Sequence, residues 1–305
     1  GNFCSNGIIT ADRKPTPKLA QVKAVQAWIK FELAGVDAKA NTATINIKNT
    51  YDFINTADHT LRYEIVKDGH IVAKGKQALP VIEVDGQATV ILPLEGVVLK
   101  NAAKAGEEIM INLFAEQDKA TVWSEAGHEV ASTQFELNAR PAALAVIKVD
   151  KKAEKLAVED TEKTLKVGNK AIAAVFCKET GVMTSLKFNG QEIINGKDGF
   201  MYDNYRFIEN DRSCKPGNGL DSIGTCEIVP SKGGSVIVKT TRGGQLASQV
   251  ITYTFLPNGT MDMDVTLTPQ AKELRRAGLV ANINPGLRNV NYWAYGPDEN
   301  YNDRK

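Results

Sequence analysis

The chain has 305 residues, 37 Lys and Arg against 36 Asp and Glu, a formal charge of +1 and 43% hydrophobic residues. That length leaves room for two domains of about 150 residues, each with its own core, and the composition is that of an ordered globular protein, not a disordered or fibrous one. The near-zero net charge excludes an electrostatic footprint for nucleic acid or an anionic membrane, and no apolar run approaches the roughly 20 residues that span a bilayer.

The chain opens on Gly1 without Met, basic n-region or apolar h-region, as expected of an N-terminus cut by processing or by design. The sequence gives no compartment. Thr16 suits a helix N-cap and Pro17 the first helical position, where its missing N–H costs nothing. Leu19, Val22 and Val25 then follow at helical spacing. This predicts one helix of consequence, ending near Ala27, with little of its own to pack on.

From Trp28 the period changes to two. Ile29, Phe31 and Leu33 alternate with Lys30 and Glu32, then Ile45 and Ile47 with Asn46 and Lys48, then Leu61, Tyr63 and Ile65 with Arg62 and Glu64. Asp68-Gly69 signals a two-residue hairpin, because a type I′ turn needs positive φ at both positions. Val90–Leu92, Ile109–Phe114 and Phe135 with Leu137 complete about seven short strands, the count of an immunoglobulin-like sandwich. Ala-rich Asn101–Gly106 reads as a loop ahead of the next strand.

Arg140-Pro141 interrupts any strand, and residues 148–166 carry six lysines and five acids that nearly cancel, a solvated linker or edge strand. A second β region follows. Asn189-Gly190 predicts another tight hairpin, and Gly233-Gly234 and Gly243-Gly244, which lack any phosphate-loop context, also read as hairpin turns. Ile251, Tyr253 and Phe255 lead through Pro257-Asn258-Gly259 to Met261, Met263, Val265 and Leu267, a hairpin with one wet and one dry face.

Residue types alone indicate little chemistry. Cys4, Cys177, Cys214 and Cys226 lack CxxC spacing and read as free, mostly buried thiols, with Cys214 and Cys226 able to close a loop only in an oxidising compartment. His59, His70 and His128 never fall at metal-binding spacing. The clusters Glu209-Asn210-Asp211 and Asp298-Glu299-Asn300 are more often turn caps than catalysts.

Three segments carry a resemblance. Phe3–Lys23 reads FCSNGIITADRKPTPKLAQVK, Trp123–Ala131 reads WSEAGHEVA, and Trp293–Arg304 reads WAYGPDENYNDR. In this order they resemble the end of the catalytic barrel, the fourth-domain motif and the G-P-x-E-N-Y-x-D-R fifth-domain motif of glycoside hydrolase family 2 β-galactosidases. One departure stands out: Tyr205–Asp211 occupies the place where the family often reads W-R-[AG]-P-x-D-N-D.

The resemblance implies an all-β chain. Residues 1–27 would be an arm and helix left over from a (β/α)8 barrel, 28–140 the immunoglobulin-like sandwich, and 141–305 a β-supersandwich. It implies a parent enzyme that hydrolyses β-D-galactosides with retention, through two glutamates about 5 Å apart. Both glutamates lie upstream of Phe3, so the chain alone is expected to be inactive. In the parent, the Phe3 backbone carbonyl and the Asn6 side chain bind sodium, and Asn6 also serves the galactosyl 6-hydroxyl. Asp211 and Arg212 belong to a loop bordering the active site. Sodium, with magnesium or calcium as further ions, is expected of the parent, and no stably held ion of the fragment. Partners implied are a β-galactoside and further copies of the parent, with no nucleic acid and no membrane.

The chain stops at Lys305, directly after its last motif, where the family's fifth domain continues. Exposed edges are therefore expected, with either self-association through the gap or local disorder around it. For Trp123 and His128 a structural role, a core Trp beside a hydrogen-bonded His, is expected ahead of sugar stacking. An ion pair of Glu299 with Arg304 is expected within the second sandwich. Two other functions compete: a stand-alone carbohydrate-binding module with Tyr292, Trp293 and Tyr295 as its aromatic platform, and a family relative acting on glucuronides or mannosides.

Overall fold

The structure, a computed structural model, describes residues 7–139, 152–196, 199–204, 220–272, 274 and 276–296, with 221 and 222 described by backbone alone. The chain divides into two compact units, Phe3–Ile147 together with Tyr292–Lys305, and Lys148–Asn291. No helix among the described residues is long and apolar enough to cross a membrane.

The first unit begins with α1 (Pro17–Gln26), with Pro at its start as the spacing predicts. Thr16 has the extended backbone of an N-cap, but its hydroxyl donates to the Ile8 carbonyl at 2.6 Å and does not cap the helix. None of the helix's side chains is buried, and Lys23 reaches out to Glu129 at 3.1 Å. Seven strands follow: β1 (Ile29–Asp37), β2 (Thr42–Asn49), β3 (His59–Lys67), β4 (His70–Ala78), β5 (Gln87–Pro93), β6 (Ile109–Gln117) and β7 (Glu129–Glu136). They form two antiparallel sheets, β1-β2-β5 and β4-β3-β6-β7.

Period-two alternation supplies the core. Ile45 and Ile47 of β2, Leu92 of β5, Leu61 and Ile65 of β3, and Ile111 and Leu113 of β6 are all fully buried in one cluster. Each such side chain contributes about 1.5–3 kcal/mol by leaving water. A buried amide closes one end of this core. Asn49 donates to the carbonyls of Ile54 and Ile82, both at 2.9 Å, and accepts from the Tyr51 N–H at 2.9 Å.

The Asp68-Gly69 hairpin forms as predicted, with Lys67 opposite His70 and φ of 50° and 79° at the two turn positions. Asp68 has a second task. Its carboxylate accepts from the Glu108 N–H at 2.9 Å while its own N–H donates to the Glu108 carbonyl at 2.9 Å, so the turn clamps the residue that precedes β6. Asn138 clamps the same point from the other side, accepting from Ile109 N–H and donating to the Glu107 carbonyl, each at 2.8 Å.

Asn101–Gly106, read from sequence as a loop, contains one helical turn, α2 (Ala102–Ala105). Gly106 in the left-handed region returns its N–H to the Ala102 and Ala103 carbonyls, and Ala102 is buried. A glycine stop and a buried small residue stabilise a turn too short to persist alone.

The second unit pairs β8 (Ala157–Asp160), β9 (Thr164–Gly168), β10 (Ile172–Cys177), β11 (Val182–Phe188) and β12 (Gln191–Glu192) in the order β12-β11-β10-β9-β8. A two-stranded piece joins β13 (Met201–Asp203) to β18 (Gly278–Val280). The remaining strands, β14 (Leu220–Val229), β15 (Val236–Gly244), β16 (Ala247–Phe255) and β17 (Met261–Pro269), form a four-stranded antiparallel sheet in sequence order. The charge-rich stretch runs through β8, a short, exposed edge strand ending in Glu159 and Asp160, charges that discourage pairing with another chain.

The Asn189-Gly190 turn has φ of 48° and 81° between Phe188 and Gln191. The hairpin of β16 and β17 has its dry face in Ala247, Gln249, Ile251, Tyr253 and Phe255, every second residue buried. Gly243-Gly244 is a correction. Both glycines lie within β15, with Gly244 opposite Leu220, and the chain reverses one step later at Gln245-Leu246.

Leu165, Val167, Ile172, Ala174 and Phe176 of the five-stranded sheet pack with Val238, Ile251, Tyr253 and Phe255 of the four-stranded one. The Phe176 ring lies 5.2 Å from Tyr253 and 6.2 Å from Phe255. Two glycines allow close approach of backbone from the two sheets. A Cβ on Gly224 would lie 2.4 Å from the Thr180 carbonyl, and one on Gly181 2.8 Å from the Thr225 carbonyl. The Gly224 N–H uses this proximity to reach the Glu179 carbonyl at 3.0 Å.

Candidate functional site

Phe3, Asn6, Asp211 and Arg212, the residues singled out from sequence, lie outside the described residues, as do Cys4, Cys214, Glu209, Glu299 and Arg304. Cys226 is a free thiol, buried, and desolvation pushes it up to about 12. Cys177, partly exposed, is also free, and a hydrogen bond from Thr180 holds it below the usual thiol range. Among the described residues no group of three or more His, Cys, Asp or Glu converges as a metal site would require.

The second unit gathers buried polar side chains that sequence reasoning missed. Tyr202, Asn204, Arg242 and Gln249 are all buried. Gln249 accepts from the Tyr202 N–H and donates to the Phe200 carbonyl at 3.4 Å, and Arg242 donates to the Met201 sulfur at 3.3 Å. Gln249 and Arg242 face each other across β15 and β16. Their signal was faint: Gln249 takes an apolar place in the alternation of β16, which is where buried polar groups hide from pattern reading.

Trp123, expected in the core, is 66% exposed. The reason is the loop between β6 and β7. Gln117 is buried and its amide donates to the Lys119 carbonyl at 3.0 Å, the Ser124 hydroxyl at 2.6 Å and the Glu125 carbonyl at 3.3 Å. The loop therefore folds around a polar hub and leaves Trp123 outside, edge-on to His128 with centroids 5.5 Å apart.

A cleft of about 670 Å³ lies on the outer face of the first unit's four-stranded sheet. Register explains the lining. Across this face Ile71, Val66 and Met110 stand side by side on β4, β3 and β6, and the next row holds Glu64, Asn112 and Gln134. Gln134 donates to Asn112 at 2.7 Å. Further along, Arg62 lies 3.6 Å above the Phe114 ring and bridges Glu64 and Glu116, with Lys74 and Lys76 on the outside. The charged half of the face thus pairs its two carboxylates with three cations, and the other half is left largely apolar and amide-lined.

Over that second half runs Tyr292–Gly296. Trp293 sits above the Asp68-Gly69 turn, its Cδ1 3.9 Å from where a Cβ on Gly69 would be. Tyr292, Trp293 and Tyr295 remain 69%, 58% and 86% exposed. Glu108, its backbone held by Asp68, completes the lining. The three aromatics named from sequence are therefore brought to one cleft, while Glu108, Asn112 and Gln134 were not foreseen.

Comparison with known proteins accounts for both units. The family model described as "Beta-galactosidase, domain 4" matches residues 45–138, and that described as "Beta galactosidase small chain" matches residues 168–305. A β-galactosidase of Priestia megaterium is 28% identical over 318 residues, covering 100% of this chain and 30% of the relative. β-Galactosidases of Pseudoalteromonas haloplanktis and Photobacterium profundum are 27% and 28% identical, each covering 99% of this chain and 31% of the relative. The chain thus spans about 30% of the length of the curated relatives it matches.

Proposed function

Because the chain belongs to the β-galactosidase family, we propose that it is the C-terminal, non-catalytic portion of an enzyme hydrolysing terminal β-D-galactosides. The observation that supports this reading is one of coverage: the relatives align along this chain from end to end, and most of their length lies elsewhere.

The chemistry proposed for the parent is retaining hydrolysis by two glutamates about 5 Å apart, one attacking the anomeric carbon and one moving the proton to and from the leaving oxygen. Neither glutamate belongs to this chain. Its own share would be to wall the sugar pocket. The Phe3 carbonyl and Asn6 amide oxygen are hard donors suited to a hard cation such as sodium, Asn6 would also meet the galactosyl 6-hydroxyl, and Asp211 and Arg212 would border the pocket. Magnesium or calcium, if held, and assembly of the parent as a homo-oligomer complete the proposal.

Hydrolysis of an aryl β-galactoside tests it. The purified 305-residue chain should show no turnover, and the same chain joined to its upstream barrel should be active. Turnover by the chain alone would overturn the assignment of catalysis to an upstream segment.

A further inference from the structure

We propose that the cleft between Tyr292–Gly296 and the outer face of β3, β4, β6 and β7 binds a neutral saccharide. This goes beyond the galactosidase reading and does not depend on it. Its volume of about 670 Å³ falls within the range of small-ligand sites. Three rings within four residues, each more than half exposed, form an apolar patch of the kind that marks a contact surface.

The cleft's chemistry selects the ligand. A pyranose presents an apolar face of C–H groups carrying partial positive charge, which an aromatic ring attracts with the negative face of its quadrupole. Its rim of hydroxyls needs donors and acceptors together. The floor offers both: with Gln134 N–H given to Asn112 Oδ1, the Asn112 amide still has N–H groups to donate and Gln134 an oxygen to accept. Glu108 places a carboxylate side chain in the same lining. Among the described residues no lysine or arginine is in the lining, so none of these would neutralise a phosphate or carboxylate. The described lining suits a neutral polyol better than an anionic ligand. An organic ammonium ion would suit the rings and Glu108 but would leave the two floor amides unused.

Tryptophan emission provides the assay. Of the three tryptophans, Trp28 stacks on Tyr51 and Trp123 lies in the loop after β6, so a W28F/W123F background leaves Trp293 as the sole reporter. Titrating this 305-residue chain with lactose should give a saturable shift with Kd on the order of 1 mM. Calorimetry on W293L and N112A, in the otherwise unchanged chain, should show binding weakened at least about tenfold, with circular dichroism and the thermal transition retained, since Trp293 is exposed and Asn112 lies outside the core. Maltose serves as a second sugar and choline as the competing chemistry. No saturable response to either sugar would overturn the proposal. So would a response to choline alone, or lactose binding that W293L leaves intact.

Discussion

Arg62→Met removes one guanidinium while keeping a flexible apolar chain against Phe114, and it tests whether the charged half of the outer face stabilises the first sandwich. Arg62 donates from Nη1 to Glu64 at 3.0 Å and from Nε to Glu116. The carboxylate side chains are only 11% and 12% exposed, which separates them from surface pairs worth about 0–1 kcal/mol. A hydrogen bond to a charged group contributes about 1.5–3 kcal/mol, and two are lost. Lys74 and Lys76, at 3.2 and 3.1 Å, remain to offset part of that. We expect a net loss of about 3 kcal/mol at pH 7, or about 2 M in urea midpoint for an m-value of about 1.5 kcal/mol/M.

The sign with pH is fixed by Glu116. Burial raises its pKa, but hydrogen bonds from Arg62 and Lys76 outweigh burial and hold it below the ordinary 4.5. Stability from this group is therefore complete above about pH 4.5 and disappears as pH falls through the lower folded value. The gap between the native chain and R62M should accordingly narrow between pH 7 and pH 3.5. Tryptophan fluorescence reads this without interference, because Trp28, Trp123 and Trp293 all belong to the first unit. A loss below about 0.5 kcal/mol, or one equal at both pH values, would refute the reasoning.

Two further outcomes follow from the second unit. Gly224→Ala would set a Cβ 2.4 Å from the Thr180 carbonyl and 2.7 Å from that of Thr241, both backbone, so that unit should lose about 3 kcal/mol; the far-UV circular dichroism transition should drop while the tryptophan transition stays, and an unchanged far-UV transition would contradict the close approach. Brief alkylation at pH 8 followed by peptide mapping should label Cys177, partly exposed with a lowered pKa, well before Cys226, buried with its thiol pushed up to about 12; equal rates in the folded chain would contradict the burial of Cys226.

The strands were legible because one face of each sheet is dry. Ile45 and Ile47, or Ile251, Tyr253 and Phe255, state their burial by alternation alone, and Asp68-Gly69 and Asn189-Gly190 state their turns because few residues tolerate paired positive φ. The exceptions share one cause. Gly243-Gly244 carries the glycines of a turn but ends a strand, and Asn101–Gly106 lacks apolar spacing but forms a helical turn around Ala102. In both, tertiary packing overrides local preference.

The site was harder to read for a different reason. A core aromatic and a ligand-facing aromatic look alike in a sequence, and only the polar groups beneath them decide. Trp123 stands out in solvent because Gln117 gathers its loop around an amide. Trp293 stands over a cleft because Asp68, Asn138 and the register of β6 place Glu108, Asn112 and Gln134 beneath it. Those contacts join residues more than 20 positions apart, with β-strand pairing between them, so no local window contains them. What the sequence could say was that tryptophan and two tyrosines occur within four residues of a polar segment. That these rings face amides and a carboxylate, and not a hydrocarbon core, is what turns an apolar cluster into a place where a polyol can bind.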